Sequence, residues 1–131
     1  MQFQPHSLAT QRSRIKGLGA AKSGTGHFWH QRVSAVALIP LTIFFIGTLI
    51  CLAGADHAKA VAILKNPFVG ILIICFILAG VYHMRLGMQV IIEDYVHVEG
   101  AKVFLVMLNT FFAALIGLSS IFALLKISLG L

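Results

Sequence analysis

The stretch that decides the fold is "FVGILIICFILAGVYHMRLGMQVII", residues 68–92. It is longer than the roughly 20 residues that cross a ~30 Å hydrocarbon layer. In lipid the backbone must satisfy its own hydrogen bonds, so a run of this kind is a helix. Two more blocks flank it: "VSAVALIPLTIFFIGTLICLAG" at 33–54 and "VFLVMLNTFFAALIGLSSIFALL" at 103–125. The 131-residue chain is 59% hydrophobic and only 11% charged, with a mean hydropathy of +0.95. A soluble domain of this length needs far more surface charge. The expectation is an all-α integral membrane protein with three transmembrane helices at about 33–54, 68–92 and 103–125.

Residues 1–32 carry Arg12, Arg14, Lys16, Lys22 and Arg32, and the first acid is Asp56. They are expected to form a basic tail ahead of the membrane part, 33–131. By the positive-inside rule that tail stays in the cytoplasm, which puts the C-terminus outside. The tail has no short apolar core with a cleavage site, so it does not read as a secretory signal. Its Arg/Ser-rich, acid-free composition resembles a transit peptide, which makes the mitochondrial inner membrane the alternative. A bacterial inner membrane is the simpler expectation. No nucleic-acid motif accompanies the positive charge.

Local signals place the boundaries. Asn66 and Pro67 suit the N-cap and first position of the second span, where a missing N–H costs nothing. Residues 55–66, "ADHAKAVAILKN", form an outer loop with a short amphipathic turn. Pro40 should kink the first span. Ala113 and Gly117 form a small-xxx-small pair that lets another helix approach. Cys51 and Cys75 read as small buried hydrophobes without metal spacing or a mutual disulfide.

The second span contains "HMRLGMQVIIEDYVH", 83–97. At about 100° per residue, eleven steps from His83 to Asp94 make three turns plus about 20°, so the two share a face about 16 Å apart. Gly80 and Gly87 lie on that stripe and leave room beside His83 for a flat, bulky group. Arg85 and Gln89 point roughly the opposite way. A helix polar on two sides must be enclosed by other helices, and two companions barely suffice, so a partner subunit is expected. A lone membrane histidine either bonds another helix or ligates haem iron through neutral imidazole. A second axial ligand at that depth is missing here, so a bis-histidine haem would be shared. Asp94 and Tyr95 are a solvated acid and an interfacial anchor, or a proton relay and a hydrogen-bond donor to a quinone carbonyl. Arg32 is a topology flank or a partner for an anion such as a haem propionate.

Two segments resemble the small hydrophobic D-type membrane anchors of succinate dehydrogenase, respiratory complex II. One is "HFWHQRV", 27–33. The other is the 83–97 segment, with His83, Gly87, Gln89-Val90, Asp94 and Tyr95 at the family's positions. The resemblance covers nearly the whole chain and implies specific roles. His83 would be one axial ligand of a b-type haem, the other coming from a C-type anchor. Gly87 would pack on the haem, and Arg32 would lie near its propionates or the quinone pocket. Tyr95 would hydrogen-bond ubiquinone, with Asp94 ordering that site. FAD and iron–sulfur clusters would sit in the flavoprotein and iron–sulfur subunits, so this chain does no chemistry on succinate itself. His30 and Arg85 have no family role and are expected to contact a partner; His27 and His97 are unassigned. The alternatives are an anchor of fumarate reductase or another b-type respiratory complex, and a cofactor-free scaffold or proton-conducting subunit.

Overall fold

The computed structural model describes residues 24–130. Four helices follow in order: α1 Gly24–Leu52, α2 His57–Lys65, α3 Pro67–Tyr95 and α4 Glu99–Leu129. The three long ones are apolar enough to cross a membrane, with mean hydropathies of 2.5, 2.2 and 2.0 over their most apolar windows. The chain is thus an all-helical membrane protein, as the apolar blocks require.

Each long helix overruns its block. α1 has 29 residues, about 44 Å at 1.5 Å per residue, which spans hydrocarbon and headgroups together. Hydropathy falls at the lipid boundary, but nothing there stops the backbone ladder. Residues 24–32, assigned to the tail, therefore belong to α1, and they bring His27 and Arg32 onto a rigid element. The rest of the tail, with Arg12, Arg14, Lys16 and Lys22, lies outside the described residues. α1 is helical on both sides of Pro40.

The ends follow local chemistry. Asn66 caps α3: its side-chain oxygen accepts from Phe68 N at 3.0 Å, and Pro67 occupies the first turn. Asp56 caps α2 by accepting from Lys59 N at 2.9 Å. The 55–66 connection is thus largely this nine-residue helix, which buries none of its residues. Gly130 closes α4 at φ 74, a left-handed conformation that costs glycine no Cβ clash.

α3 lies between α1 and α4, antiparallel to both, while α1 and α4 do not approach each other among the described residues. Against α1, Phe45 and Phe76 stack at 4.4 Å, and Phe44 meets Phe68 edge-on at 6.3 Å. Against α4, small residues bring the backbones together. A Cβ on Gly117 would lie 3.5 Å from Val81 Cγ1, and one on Gly70 would lie 3.6 Å from Ser128 Oγ. Ala113 and Gly117 are both buried, so the small pair takes α3 as its neighbour.

Because the three helices form a row, most apolar side chains point outward; Ile39, Ile43, Phe111, Leu115 and Phe122 are exposed. Cys51 and Cys75 are likewise exposed, which corrects the expectation that they are buried. Lipid is as apolar as a protein interior, so a membrane cysteine need not be covered by its own chain. Both are free thiols.

Candidate functional site

A cavity of about 730 Å³ opens between α1 and α3 towards the ends that carry Gly24 and Tyr95. His27, Gln31 and Arg32 line it from α1; His83, Gln89 and Glu93 line it from α3. Two sequence-predicted residues, His83 and Arg32, thus share one space. On α3 the positions 83, 89/90 and 93 recur at helical spacing, and on α1 so do 27/28, 31/32 and 35. The site is two amphipathic stripes facing each other across the seam.

His83 is partly buried, and its Nδ1 lies 3.0 Å from Ser34 Oγ, a contact between the helices. Ser34 is 7% exposed, and its hydroxyl donates to Gln31 O at 3.0 Å. The guanidinium of Arg32 lies 4.1 Å from the ring centroid of Phe28, a cation–π contact one turn back. The ion pair found among the described residues is Lys102–Glu99, at 3.3 Å, so Arg32 keeps its charge available to an anion. At the mouth, Gln89 Nε2 donates to Glu93 Oε1 at 2.8 Å.

Two atoms on α1 are unbalanced. His27 Nε2 and Gln31 Oε1 are buried without a hydrogen-bond partner among the described residues. A buried polar group left without a partner costs about 1–3 kcal/mol. Two such atoms in residues lining one cavity single it out as the candidate site.

The glycine stripe is occupied from within. Leu38 Cδ2 lies 3.9 Å from a Cβ built on Gly80, and Gln31 Nε2 lies 3.4 Å from one on Gly87. The spaces above and below His83 thus admit α1 side chains, where the sequence reading left them open. Asp94 and Tyr95 lie outside the cavity, exposed in the last turn of α3; Tyr95 is 77% exposed. α3 is continuous to Tyr95, which keeps Asp94 about three turns from His83.

His30 and Arg85 were expected to face a partner, yet both bond within the chain. His30 Nδ1 is 2.6 Å from the Tyr82 hydroxyl. Arg85 Nε donates to Thr110 Oγ1 at 3.3 Å, and Asn109 Nδ2 donates to Arg85 O at 2.9 Å. The sequence reading missed Ser34, Gln31 and Asn109, whose parts depend on which helix faces which. His97 is exposed between α3 and α4.

Among the described residues no three His, Cys, Asp or Glu side chains converge as a metal site. A group that needs one imidazole from this chain suits that donor set.

Residues 6–118 match the family described as the succinate dehydrogenase/fumarate reductase transmembrane subunit. The succinate dehydrogenase hydrophobic membrane anchor subunit of Paracoccus denitrificans is 30% identical over 121 residues, covering 92% of this chain and 93% of the relative. The membrane anchor subunit of Reclinomonas americana is 34% identical over 85 residues, 63% of this chain and 71% of the relative. That of Rickettsia bellii is 32% identical over 83 residues, 63% and 66% respectively. No solved structure matches. With a match across most of its length and a succinate dehydrogenase anchor aligned nearly end to end, the chain belongs to the succinate dehydrogenase/fumarate reductase transmembrane subunit family.

Proposed function

We propose that the chain is the D-type membrane anchor of a succinate:quinone oxidoreductase, supplying one axial ligand to a b-type haem and part of a ubiquinone-reduction site. The observation that carries this reading is the cavity in which His83, Arg32 and the unpartnered His27 and Gln31 side chains meet. Haem has an iron to receive an imidazole nitrogen and carboxylates to receive donors, so its chemistry fits His83, Arg32 and an Nε2–H of His27, while the Gln31 amide oxygen needs a donor from elsewhere.

The haem, when bound, supplies a one-electron relay. His83 would offer a ring nitrogen to the iron, and a C-type anchor would supply another ligand. Arg32 would hold a propionate by a charge-assisted hydrogen bond. Gly87 would contribute to haem packing by keeping the α3 surface low beside Gln31, whose Nε2 lies 3.4 Å from where its Cβ would be. Tyr95 and Asp94, at headgroup level, serve the quinone. The Tyr95 hydroxyl donates to a quinone carbonyl oxygen, and Asp94 orders that site. Their exposure in the isolated chain leaves them open to partner subunits. The flavoprotein and iron–sulfur subunits hold the FAD and the clusters, and electrons reach ubiquinone at this end. The names of the relatives favour the succinate enzyme over fumarate reductase.

The membrane is the bacterial inner membrane, with the N-terminus cytoplasmic; the basic, acid-free residues 1–32 support that orientation. A periplasm-active reporter fused after Leu131 should then be active, and strong activity of the same reporter fused at Gly24 reverses the topology. The haem assignment is tested by His83→Ala in the assembled complex. The low-spin bis-histidine spectrum should be lost or largely converted to high spin. An unchanged spectrum removes His83 from the iron.

A further inference from the structure

We propose that Ser34 is a positioning residue that fixes the tautomer of His83, holding the proton on Nδ1 and leaving Nε2 free for iron. The inference rests on His83 being the haem ligand. It adds which ring nitrogen binds, and what makes that nitrogen the better donor.

A serine hydroxyl has one proton and two lone pairs. Ser34 Oγ lies 3.0 Å from Gln31 O and 3.0 Å from His83 Nδ1. A carbonyl oxygen can only accept, so the hydroxyl proton belongs to Gln31 O. Were the hydroxyl turned to a bare Nδ1, its own lone pairs would face the Gln31 carbonyl at that same distance. The remaining contact therefore runs from Nδ1–H to Ser34 Oγ. In a neutral imidazole that places the free lone pair on Nε2.

The α4 side of the same helix holds a control. Thr110 Oγ1 lies 2.9 Å from Val106 O, on its own helix, and 3.3 Å from Arg85 Nε. Arginine can only donate, so this hydroxyl must give its proton to its own helix and accept from across the seam. Ser34 repeats the arrangement: a carbonyl one turn back on α1 and a ring nitrogen on α3. Thr48 and Ser119 also bond back to their own helices, but reach no histidine among the described residues.

Ser34 is 7% exposed and does not line the cavity, whereas His83 does. Its influence on a bound haem must pass through the imidazole. Hydrogen bonding at the second ring nitrogen orients a ligating histidine and raises its basicity. A more basic ligand favours ferric over ferrous iron and lowers the midpoint potential.

The test is potentiometric titration of the b-haem, with the haem-to-flavin ratio, in the purified complex. In Ser34→Ala the midpoint should move to more positive potential. Haem affinity should fall by about 10-fold or more, the usual loss when such a partner is removed. Ser34→Thr, which keeps the hydroxyl, should restore both, an outcome that a role in packing alone does not give. If Ser34→Ala fails to assemble, Ser34→Cys carries the test, because a thiol fills the space but accepts poorly. Loss of the haem signal in His83→Ala, together with an unshifted midpoint and full haem content in the Ser34 variant, overturns the role of Ser34 alone. An unchanged spectrum in His83→Ala overturns the ligand assignment, and the role of Ser34 falls with it.

Discussion

α3 presents two polar residues, two positions apart, to two different neighbours, and the two contacts are resolved differently. On the α4 side, Arg85 reaches Thr110, its carbonyl receives Asn109, and Val81 closes over Gly117. On the α1 side, His83 reaches Ser34, but His27 Nε2 and Gln31 Oε1 have no partner among the described residues, and a cavity of about 730 Å³ stays open. Both seams are polar and both join antiparallel helices. The first is closed only in its polar groups, each met by a side chain of α3 or α4, for a cavity of about 580 Å³ lined by Val81, Arg85, Thr110 and Gly117 opens along it as well. The second is left incomplete by the described residues. Polarity in a membrane helix therefore does not by itself mark function; unsatisfied polarity beside open space does so better.

Breaking the closed seam should have the largest effect. A Cβ at Gly117 would sit 3.5 Å from Val81 Cγ1, an ordinary contact, so Gly117→Ala should assemble normally. Gly117→Leu adds branches where Val81 already lies. Overpacking of this kind costs about 1–3 kcal/mol, and here it forces two backbones apart. The yield of assembled complex should fall severalfold for leucine and stay near normal for alanine, as read by native gels of solubilised membranes. Equal yields for both would show that this seam is not close-packed.

The comparison also shows what could be read in advance. Apolar blocks fixed the number of spans because the bilayer sets their length, and the Asn66–Pro67 start followed from capping. The 3.6-residue periodicity separated His83 from Arg85 correctly, but Gln89, expected on the Arg85 face, lines the His83 cavity; His83 and Arg32 were legible as residue types in unusual places. Ser34, Gln31 and Asn109 were not, because a small polar residue in an apolar run carries no sign of its partner until helix register is known. The same gap explains why Tyr82 and Thr110, which meet His30 and Arg85 inside the chain, were not foreseen. It also explains the assignment of Arg32 to a tail: hydropathy ends before the helix does.

Tyr95 sharpens the contrast because it lies in neither seam. At 77% exposure it packs little within the chain, so Tyr95→Phe should leave assembly intact. If its hydroxyl donates to the quinone carbonyl, the bond strengthens as charge develops on that oxygen. Its loss should then lower quinone reduction by roughly one to two orders of magnitude, or about 1.4–2.7 kcal/mol. Succinate oxidation with an artificial acceptor that draws electrons from the soluble subunits should stay near normal. Equal loss in both assays would indicate an assembly defect, and no loss in either would leave Tyr95 as an interfacial anchor.

The smallest effect is expected at Asn109, where the closed seam can be weakened without opening it. Asn109 is buried, and its Nδ2 donates to Arg85 O at 2.9 Å. That carbonyl has two lone pairs and lies mid-helix, so it keeps its α3 partner when the asparagine is lost. Asn109→Ala therefore leaves no orphaned group on α3 and removes only one interhelical bond. Such bonds in membrane bundles average about 0.6 kcal/mol and reach about 1.7. Thermal inactivation of the detergent-solubilised complex should shift down by a few degrees or less, while the haem spectrum and quinone reduction match the parent. A change in haem potential or quinone reduction without loss of stability would be the informative failure. It would mean that the α4 side of α3 communicates with the α1 side, and that the division between a closed seam and a receiving one is drawn in the wrong place.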